Sequence, residues 1–257
     1  MKQIGYLGPK GTYSQSAFQK YQAHTDDVLE EKISQDISSL FTWIQSSSDV
    51  DEIIVPVENS IEGAVSQTLD LLVNSNGLSL KREIIIEVSH CLMAKNNVPK
   101  TEITNVLSHP QALGQCQHYL SKQIPKAKHV VTPSTAMAAK IVQENSMTFS
   151  DNETHVLAAI GSKDLAEIYE LEILEKNIND FKENRTRFFV VSKNFTEPSG
   201  EDKTSIIFST KKDKPGGLYE ALGAFAKRNI NLTRISSRPA KTMLGEYVFF
   251  KIGRAHV

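Results

Sequence analysis

The sequence predicts an α/β fold of two lobes, followed by a smaller unit of one helix and three strands. Short apolar runs typical of buried strands alternate with helical patterns over most of the chain, as in a sheet covered by helices. A polar segment over 192–202, which contains Pro198-Ser199-Gly200, is interpreted as a linker. Beyond it the predicted order is β-α-β-β, the first part of a ferredoxin-like unit.

The first lobe is predicted over about 1–75 and 178–193. Gly, Pro and polar residues interrupt its strands, and its helices carry apolar residues on one face. The expected elements are a strand at 4–7, a helix from Ser14, a helix behind Asp36 with Ile37, Leu40, Phe41 and Ile44 on one face, a strand at 53–55, a helix with Val65, Leu69, Leu72 and Val73 on one stripe, and a strand at 188–191.

The second lobe is predicted over about 76–177. The chain is expected to cross between lobes at 74–78, where Asn74-Ser75-Asn76-Gly77 breaks the pattern, and again at 176–185. This places a cleft between the lobes, a common position for a small-molecule site. The expected elements are a long extended stretch over 78–94, strands at 105–107 and 129–131, a helix over 134–142 and a charged helix over 164–176.

The third unit is predicted over 203–252. Its helix has Leu218, Leu222, Phe225 and Ala226 on one face, and its strands are expected at 205–208, 231–236 and 246–251. Residues 253–257 resemble neither a helix start nor a strand, and we expect them to be foreign tail sequence on a truncated domain. Intact mass and the reading frame beyond codon 252 would test this expectation.

Composition excludes several classes of function. The chain has 257 residues, with 29 Lys and Arg against 30 Asp and Glu, so neither the net charge of -1 nor any basic block favours a nucleic-acid partner. No secretion signal and no stretch of about 20 apolar residues occurs, which argues against a membrane. Cys91 and Cys116 lack CxxC spacing, so buried reduced thiols in a cytoplasmic protein are expected instead of a metal or disulfide site.

Polar loops follow several predicted strands and open the helices after them. Helix N-termini bind anions through free N–H groups, although any one loop is more often a simple cap. The segment around Thr186, Arg187 and Phe188 adds a hydroxyl and guanidinium groups at a strand end, which suit an anionic substrate; on a regular strand Thr186 and Arg187 face opposite sides. The candidate residues in the loops are Thr12, Tyr13, Asn59, Ser60, Ser108 and Thr135.

Other polar residues favour structural interpretations. His109, before Pro110, is interpreted as a cap, and His90, within an apolar strand, as a core residue. Glu58 suits either acid–base chemistry or a helix start. The chain contains neither GxGxxG nor GxxxxGK[ST], and neither HExxH nor a Ser-His-Asp arrangement, so no cofactor and no metal are predicted.

Taken in order, these segments resemble prephenate dehydratase. The resemblance covers residues 1 to about 193, and the part from Lys203 resembles an ACT regulatory domain. The matching segments are Gly8-Pro9-Lys10-Gly11-Thr12-Tyr13-Ser14, Val57-Glu58-Asn59-Ser60, Ser108-His109-Pro110-Gln111-Ala112 with Gln115-Cys116, Ala159-Ile160-Gly161-Ser162, Asn184-Arg185-Thr186-Arg187-Phe188, and the ACT motifs Gly216-Gly217-Leu218 and Ser236-Ser237-Arg238-Pro239.

The resemblance implies a two-lobed fold similar to periplasmic binding proteins and a decarboxylative elimination that turns prephenate into phenylpyruvate, water and CO2 without a cofactor. It implies that Thr186 is the catalytic residue, acting as a hydrogen-bond donor to the leaving oxygen. It further implies substrate binding by the loop residues with Gln115, Arg187 and Phe188. It also implies a homo-oligomer (dimer or tetramer) for the full-length protein, and possible L-phenylalanine binding by Gly216, Gly217, Leu218, Ser237 and Arg238.

The ACT part departs from the family pattern. The family usually has Ala where Gly217 stands and Glu where Ser236 stands, and the second helix and last strand are absent. We therefore expect feedback inhibition and dimerisation through this part to be impaired. Two alternatives stay open: arogenate as the substrate, and a non-catalytic amino-acid sensor. A secreted solute-binding protein or a periplasmic dehydratase is disfavoured, because the chain has no secretion signal.

Overall fold

The computed structural model describes residues 1–46, 50–148, 154–197, 200, 202–209, 215–239 and 247–255. The helices are α1 Tyr13–Gln22, α2 Ile37–Ser46, α3 Ser66–Val73, α4 Pro110–Gln115, α5 Gln117–Gln123, α6 Thr135–Glu144, α7 Lys163–Ile168 and α8 Gly217–Ala226. The strands are β1 Lys2–Leu7, β2 Leu29–Ser34, β3 Glu52–Asn59, β4 Gly63–Ala64, β5 Ser79–Glu87, β6 Cys91–Ala94, β7 Asn105–Ser108, β8 Lys128–Val131, β9 Leu157–Gly161, β10 Glu172–Glu175, β11 Arg185–Ser192, β12 Thr204–Ser209, β13 Ile230–Pro239 and β14 Tyr247–Ala255.

The first lobe is built on a sheet of order β2-β1-β3-β11-β5, with β4 paired to β3. Strands β1, β2 and β3 are parallel, whereas β11 runs antiparallel to both β3 and β5. Strand β11, the last strand before the linker, thus returns to the first sheet and lies between β3 and β5. In this register Thr186 lies opposite Asn59 on one side and Ile86 on the other.

The second lobe is built on a sheet of order β10-β6-β9-β7-β8. The first predicted crossing, at 74–78, is wrong, because β5 pairs with β11 in the first sheet and the chain changes sheets only at 88–90. The predicted helix over 164–176 is also wrong. Helix α7 ends at Ile168, Glu170 takes a positive φ of 51°, and the chain then forms β10 against β6.

Two apolar cores cover the two faces of the first sheet. Helix α2 has its N-terminus fixed by Asp36, whose carboxylate accepts from the Ser39 N–H at 2.8 Å. The predicted face of α2 is buried, and Leu40 is fully inaccessible to solvent. Helix α1 covers the opposite face with Ala17, Phe18 and Tyr21.

The third unit is an antiparallel sheet of order β12-β14-β13 with helix α8. Phe250 of β14 is 1% exposed and packs in the same core as α2 and α3 of the first lobe. The expectation that 253–257 form no strand is wrong for 253–255, since the ladder continues and pairs Gly253 with Leu232 and Thr204.

Some expectations fall on residues that the structure does not describe. They are Pro198 and Ser199 of the predicted linker, Glu246 at the start of the predicted last strand, and His256 and Val257 of the predicted tail. Among the described residues, no helix has the length and apolar character needed to span a membrane.

Candidate active site

Several of the predicted polar site residues lie close together where β3 ends and β11 begins. Asn59 is the last residue of β3, and Thr186 is the second residue of β11. Because the two residues are opposite each other in the antiparallel ladder, their side chains meet, with Asn59 Nδ2 3.0 Å from Thr186 Oγ1. Asn59 is 6% exposed and Thr186 is half-buried. Asn59 and Thr186, the Thr186 cluster, therefore lie at the end of the first sheet that faces the second lobe.

The orientation of the Asn59 amide is fixed by the backbone after it. Its Oδ1 accepts from the N–H groups of Ile61 at 3.0 Å and Glu62 at 3.1 Å. Only an oxygen can accept there, so the NH2 group must face Thr186. The Thr186 oxygen accepts this hydrogen bond, which leaves its own hydrogen free to point elsewhere. Among the described residues, no other side chain forms a hydrogen bond with Thr186 Oγ1.

A chain of buried amides connects this pair to the second lobe. Asn59 Nδ2 also donates to Asn184 Oδ1 at 2.8 Å, and Asn184 Nδ2 donates to Gln115 Oε1 at 2.8 Å. Gln115 is the last residue of α4 in the second lobe, and its Oε1 lies 3.2 Å from His90 Nε2. Asn184 is 1% exposed and Gln115 5%. A satisfied buried network of this kind holds its members rigidly.

His90 anchors the other end of the chain, at the crossing between sheets. Since Gln115 Oε1 can only accept, His90 donates from Nε2, and its Nδ1 faces the Tyr13 hydroxyl at 3.3 Å. The Tyr13 hydroxyl in turn lies 2.7 Å from the Ser89 carbonyl and donates to it. Burial lowers the pKa of His90 to about 4, and the hydrogen bond to Gln115 opposes this only partly. The ring is therefore neutral at pH 7.

This geometry makes Thr186 a positioned hydrogen-bond donor. Amides cannot pass a proton along a chain, and His90 reaches Thr186 only through three amides. The network therefore orients the Thr186 hydroxyl and does not acidify it. A neutral donor with a fixed direction suits a leaving oxygen that develops negative charge.

Arg187 is not brought to the Thr186 cluster. Its Nη1 lies 3.3 Å from Glu58 Oε2 and its Nε 3.6 Å from Glu83 Oε1. Alternation along β11 turns it to the side of Phe189, which packs in the core shared with Phe250. Phe188 turns the other way but is 2% exposed in the core beside α1. Phe188 is therefore buried, whereas the Arg187 side chain is 26% exposed. The assignment of Arg187 and Phe188 to substrate binding stays a prediction.

Two predicted serines are committed to the backbone. The Ser60 hydroxyl donates to the Glu183 carbonyl at 3.0 Å and accepts from the Arg185 N–H at 2.9 Å, so it holds the start of β11. The Ser108 hydroxyl, fully buried, donates to the Ile160 carbonyl at 2.7 Å within the second sheet. Both hydroxyls thus position strands, and the assignment of Ser60 and Ser108 to substrate binding stays a prediction.

The predicted loop residues Thr12 and Thr135 lie at the starts of two ten-residue helices, α1 and α6. The Thr12 hydroxyl donates to the Pro9 carbonyl at 2.9 Å and so shapes its own loop. At α6 the Ser134 hydroxyl accepts from the Met137 N–H at 3.0 Å, which leaves the earlier N–H groups of the helix for other partners.

The lobes touch directly at Gly11. The Ser162 hydroxyl of the second lobe donates to the Gly11 carbonyl at 2.9 Å. Gly11 has a φ of 82°, and a Cβ at this position would lie 2.2 Å from Leu165 Cδ2. Glycine is required here by both the backbone conformation and the close approach of the lobes.

A cavity of about 740 Å³ lies between the lobes, lined among others by Tyr13, Ser16, Asp164 and Lys176. Of the predicted site residues only Tyr13 lines it. The cavity and the Thr186 cluster are therefore separate features of the interlobe region. Within the described residues, no group of three or more His, Cys, Asp or Glu side chains could hold a metal ion.

Ser237 and Arg238, two of the predicted regulatory residues, lie at one end of the sheet of the third unit. Ser209, which ends β12 before the loop to α8, and Arg238 of β13 both lie opposite Val248 of β14. Gly216 takes a φ of 83° just before α8, and Gly217 and Leu218 begin the helix. Arg238 is already engaged, because its guanidinium lies 2.8 Å from Asp70 Oδ1 in α3.

Two members of the network escaped the sequence interpretation. His90 is buried, as predicted, but it also anchors the amide chain, and Asn184 was not singled out. The polar context was the available signal: an amide directly before an apolar strand, and a histidine between two strand segments. His109 caps α4 as predicted, with its Nδ1 accepting from the Gln111 N–H.

Comparison with known proteins gives the same picture. The family model of prephenate dehydratase matches residues 4–196, and that of the ACT domain matches residues 204–256. Prephenate dehydratase of Methanocaldococcus jannaschii is 43% identical over 251 residues, covering 97% of this chain and 87% of that protein. The crystal structure of prephenate dehydratase from Arthrobacter aurescens in complex with L-Phe superposes with a TM-score of 0.85 at 30% identity, over 99% of this chain and 80% of that one. GqqA, described as a novel type of quorum quenching acylase, superposes with a TM-score of 0.82 at 25% identity, over 99% of this chain and 88% of that one.

Fold and site together define a two-lobed α/β lyase domain joined to an ACT domain. The chain belongs to the prephenate dehydratase family, whose activity is a carbon–oxygen lyase step of phenylalanine biosynthesis.

Proposed function

We propose that this chain converts prephenate to phenylpyruvate with Thr186 as the donor to the departing hydroxyl. The observation that carries this proposal is the fixed Asn59 amide, which donates to Thr186 Oγ1 at 3.0 Å and thereby directs the Thr186 hydrogen away from the network. Asn59, Asn184, Gln115 and His90 are positioning residues in this proposal, because they act through Thr186.

The proposed reaction requires the protein mainly to orient the substrate. The bond between the ring and its carboxylate breaks, and the electron pair enters the ring as CO2 leaves. The ring then expels its hydroxyl, which takes up one proton and departs as water. Aromatisation drives the reaction, so the protein must align the two leaving groups and stabilise charge on the oxygen. A neutral hydroxyl donor held by amides meets that need.

The two carboxylates of prephenate need N–H donors, since Arg187 is occupied by Glu58 and Glu83. We assign this role to the starts of α1, with Thr12 and Tyr13, and α6, with Thr135, which belong to different lobes. Helix N-termini favour anions through their free N–H groups and the helix dipole. A dianion held between them would keep the cleft closed.

We propose that L-phenylalanine binds the ACT domain between the start of α8, with Gly216, Gly217 and Leu218, and the end of β13, with Ser237 and Arg238. The strand register, which brings Ser209 at the end of β12 and Arg238 near the end of β13 to the same end of the sheet, supports this, as does the L-Phe complex of the Arthrobacter aurescens relative. A homo-oligomer and a cytoplasmic location belong to the same proposal, and the buried free thiols of Cys91 and Cys116 agree with a reducing compartment.

An acylase activity like that of GqqA is not favoured. Acyl transfer by a hydroxyl needs an adjacent base to activate the nucleophile. The recorded partner of the Thr186 hydroxyl is the Asn59 amide, which donates and cannot take a proton. Arogenate and a purely sensing role are outcomes of the test below.

The test mixes the purified protein with prephenate at neutral pH and follows phenylpyruvate, with arogenate in a parallel reaction that follows phenylalanine. Turnover of prephenate is the expected result. Faster turnover of arogenate would replace the substrate in this proposal. A folded protein that turns over neither substrate but binds phenylalanine would refute the catalytic function and support the sensor.

A further inference from the structure

A charge network joins the ACT domain to the catalytic sheet directly behind the active site. Arg234 of β13 places Nη1 3.1 Å from Glu58 Oε2, the same oxygen that lies 3.3 Å from Arg187 Nη1. Arg187 also approaches Glu83, which pairs with Lys203 at 3.0 Å. One carboxylate oxygen of the catalytic domain is thus shared between a guanidinium of its own strand and one of the regulatory domain.

The charge network and the Thr186 cluster lie on opposite faces of the same short segment of the first sheet. Glu58 lies opposite Arg187 in the ladder, and the next pair is Asn59 opposite Thr186. Consecutive residues of a strand point to opposite faces. The ion pair therefore lies on the ACT side, and the catalytic hydrogen bond lies one residue away on the cleft side. Any change in the spacing of Glu58 and Arg187 reaches the 3.0 Å contact of Asn59 with Thr186 through the backbone.

Arg234 is unusual because it is buried without full pairing. Its side chain is 6% exposed, and its buried Nη1 has no aligned hydrogen bond although Glu58 is within ion-pair distance. Arg187 Nε is likewise buried and has no hydrogen bond of good geometry. A buried charge with imperfect hydrogen bonds contributes little to stability. Such an arrangement suits an element that has a second state in which the charges are paired differently.

A second ionic contact fixes the same strand to the catalytic domain. Arg238, four residues after Arg234 on β13, contacts Asp70 and donates to the Ser66 hydroxyl at 3.0 Å. Arg238 is also one of the residues to which we assign effector binding. A ligand that draws on Arg238 would displace β13 and, with it, Arg234.

We propose that Glu58 and Arg234 form a relay by which the state of the ACT domain sets the alignment of Asn59 and Thr186. The relay rests on the proposed function, since it regulates the same site. In it Arg234 and Glu58 are positioning residues, and neither touches the substrate. Removal of the Arg234 charge frees Glu58 to pair fully with Arg187 and shifts the β3–β11 end.

The test compares Arg234→Met with Arg228→Gln. Arg228 is an exposed arginine of the ACT domain that donates only to the Ala224 carbonyl among the recorded contacts of the described residues. Two readouts are used: kcat and KM for prephenate, and the side-chain amide resonance of Asn59, assigned by its loss in Asn59→Asp. We expect Arg234→Met to lower kcat at least about fivefold, the lower range of allosteric coupling. KM should change less than kcat, and the Asn59 resonance should move. Arg228→Gln should change neither.

The conservative variant separates charge from packing. Arg234→Lys keeps a cation near Glu58 and should recover part of kcat, whereas a purely structural role would make Lys and Met equally harmful. Wild-type kcat in a folded Arg234→Met would overturn the relay, and so would a lowered kcat with an unmoved Asn59 resonance. If the wild type shows no turnover, the proposed function fails separately, and the Asn59 resonance alone decides the relay.

Discussion

At the scale of single residues, the proposed catalytic role of Thr186 rests on the direction of one amide. Two backbone N–H groups bind Asn59 Oδ1 and force its NH2 toward Thr186 and Asn184. The threonine oxygen then accepts, and its hydrogen is available to a ligand. A side chain at position 59 that can still accept hydrogen bonds but cannot donate one would remove the bond to Thr186. It would leave the hydrogen bonds to the Ile61 and Glu62 N–H groups in place.

Asn59→Asp makes that change. The carboxylate can still accept from Ile61 and Glu62, but it cannot donate to Thr186, so the hydroxyl turns to donate to Asp. We expect kcat to fall on the order of a hundredfold, as when one transition-state donor is removed. Steady-state kinetics checks this, with Asn74→Asp at the exposed end of α3 as the matched control. A kcat within twofold of wild type would show that the donor direction is irrelevant.

His90 links the site to pH. Its folded pKa of about 4 lies below the ordinary value of 6.5 because the ring is buried. As pH falls below 6.5 the unfolded chain binds a proton that the folded ring refuses, so stability declines until about pH 4. We expect the free energy of unfolding to fall by on the order of 2 kcal/mol more in wild type than in His90→Gln between pH 7 and pH 4.5. Urea titrations measure it, with exposed His118→Gln as control; parallel curves for wild type and His90→Gln would contradict it.

At the scale of elements, β3 has a polar anchor at each end. Its first residue, Glu52, is 3% exposed, accepts from the Tyr21 hydroxyl at 2.6 Å and pairs with Lys81 at 2.6 Å. Its last residue is Asn59. The anchor holds α1, β3 and β5 together at the end of the sheet far from the cleft.

Glu52→Ala should therefore affect stability and spare catalysis. Removing one partner of a buried pair leaves Lys81 and Tyr21 unsatisfied and should cost about 3 kcal/mol of the free energy of unfolding. Glu30→Ala, which removes an exposed contact to Gln3, should cost less than about 1 kcal/mol. Denaturant unfolding measures both, and kcat of the folded Glu52→Ala should stay near wild type. Equal stability of the two variants would refute this function of β3.

Local patterns predicted the helices with a clear apolar face and their caps, but not the end of α7, where the chain turns into β10 instead of staying helical. The apolar face of α2, its cap Asp36 and the His109 cap all follow from spacing and side-chain chemistry. Pairing between distant strands could not be read locally. The run over 78–94 looks uniform, yet β5 joins the first sheet and β6 the second, because β11 supplies a partner for β5 only after the chain has returned.

The side of the sheet to which Arg187 points also depends on contacts with residues distant in sequence, so it could not be predicted locally. Strand alternation allowed only one of Thr186 and Arg187 to face the cleft, but the sequence did not reveal which. The choice follows from the ACT domain, whose Arg234 and Phe250 lie on the face where Arg187 emerges. The amide chain likewise joins β3, α4, the 88–90 crossing and the residue before β11, which are distant in sequence.

At the scale of the whole molecule, the regulatory and catalytic parts share one core. Phe250 of β14 belongs to the same buried apolar cluster as Leu40, Phe41 and Leu69 of the first lobe. Trp43, the single tryptophan, packs against the same cluster. Unfolding of the ACT sheet should therefore be felt at Trp43.

Phe250→Ala tests this shared core. Loss of a buried phenylalanine should lower the free energy of unfolding by about 3–5 kcal/mol, both by Trp43 fluorescence and by circular dichroism. Tyr219→Ala, on the exposed side of α8 with 79% exposure, should change little. An unaltered Trp43 transition in Phe250→Ala would mean that the two parts unfold independently.

The central claim is that Thr186 supplies one oriented hydrogen bond to the leaving oxygen. Thr186→Val keeps the shape and removes the hydroxyl, so it isolates that bond. The decisive measurement is kcat for prephenate, followed as phenylpyruvate, together with the equilibrium affinity for the substrate. We predict that kcat falls at least about a hundredfold, while prephenate still binds and Thr186→Ser recovers part of the rate. Wild-type kcat in Thr186→Val would remove Thr186 from the mechanism and contradict the account.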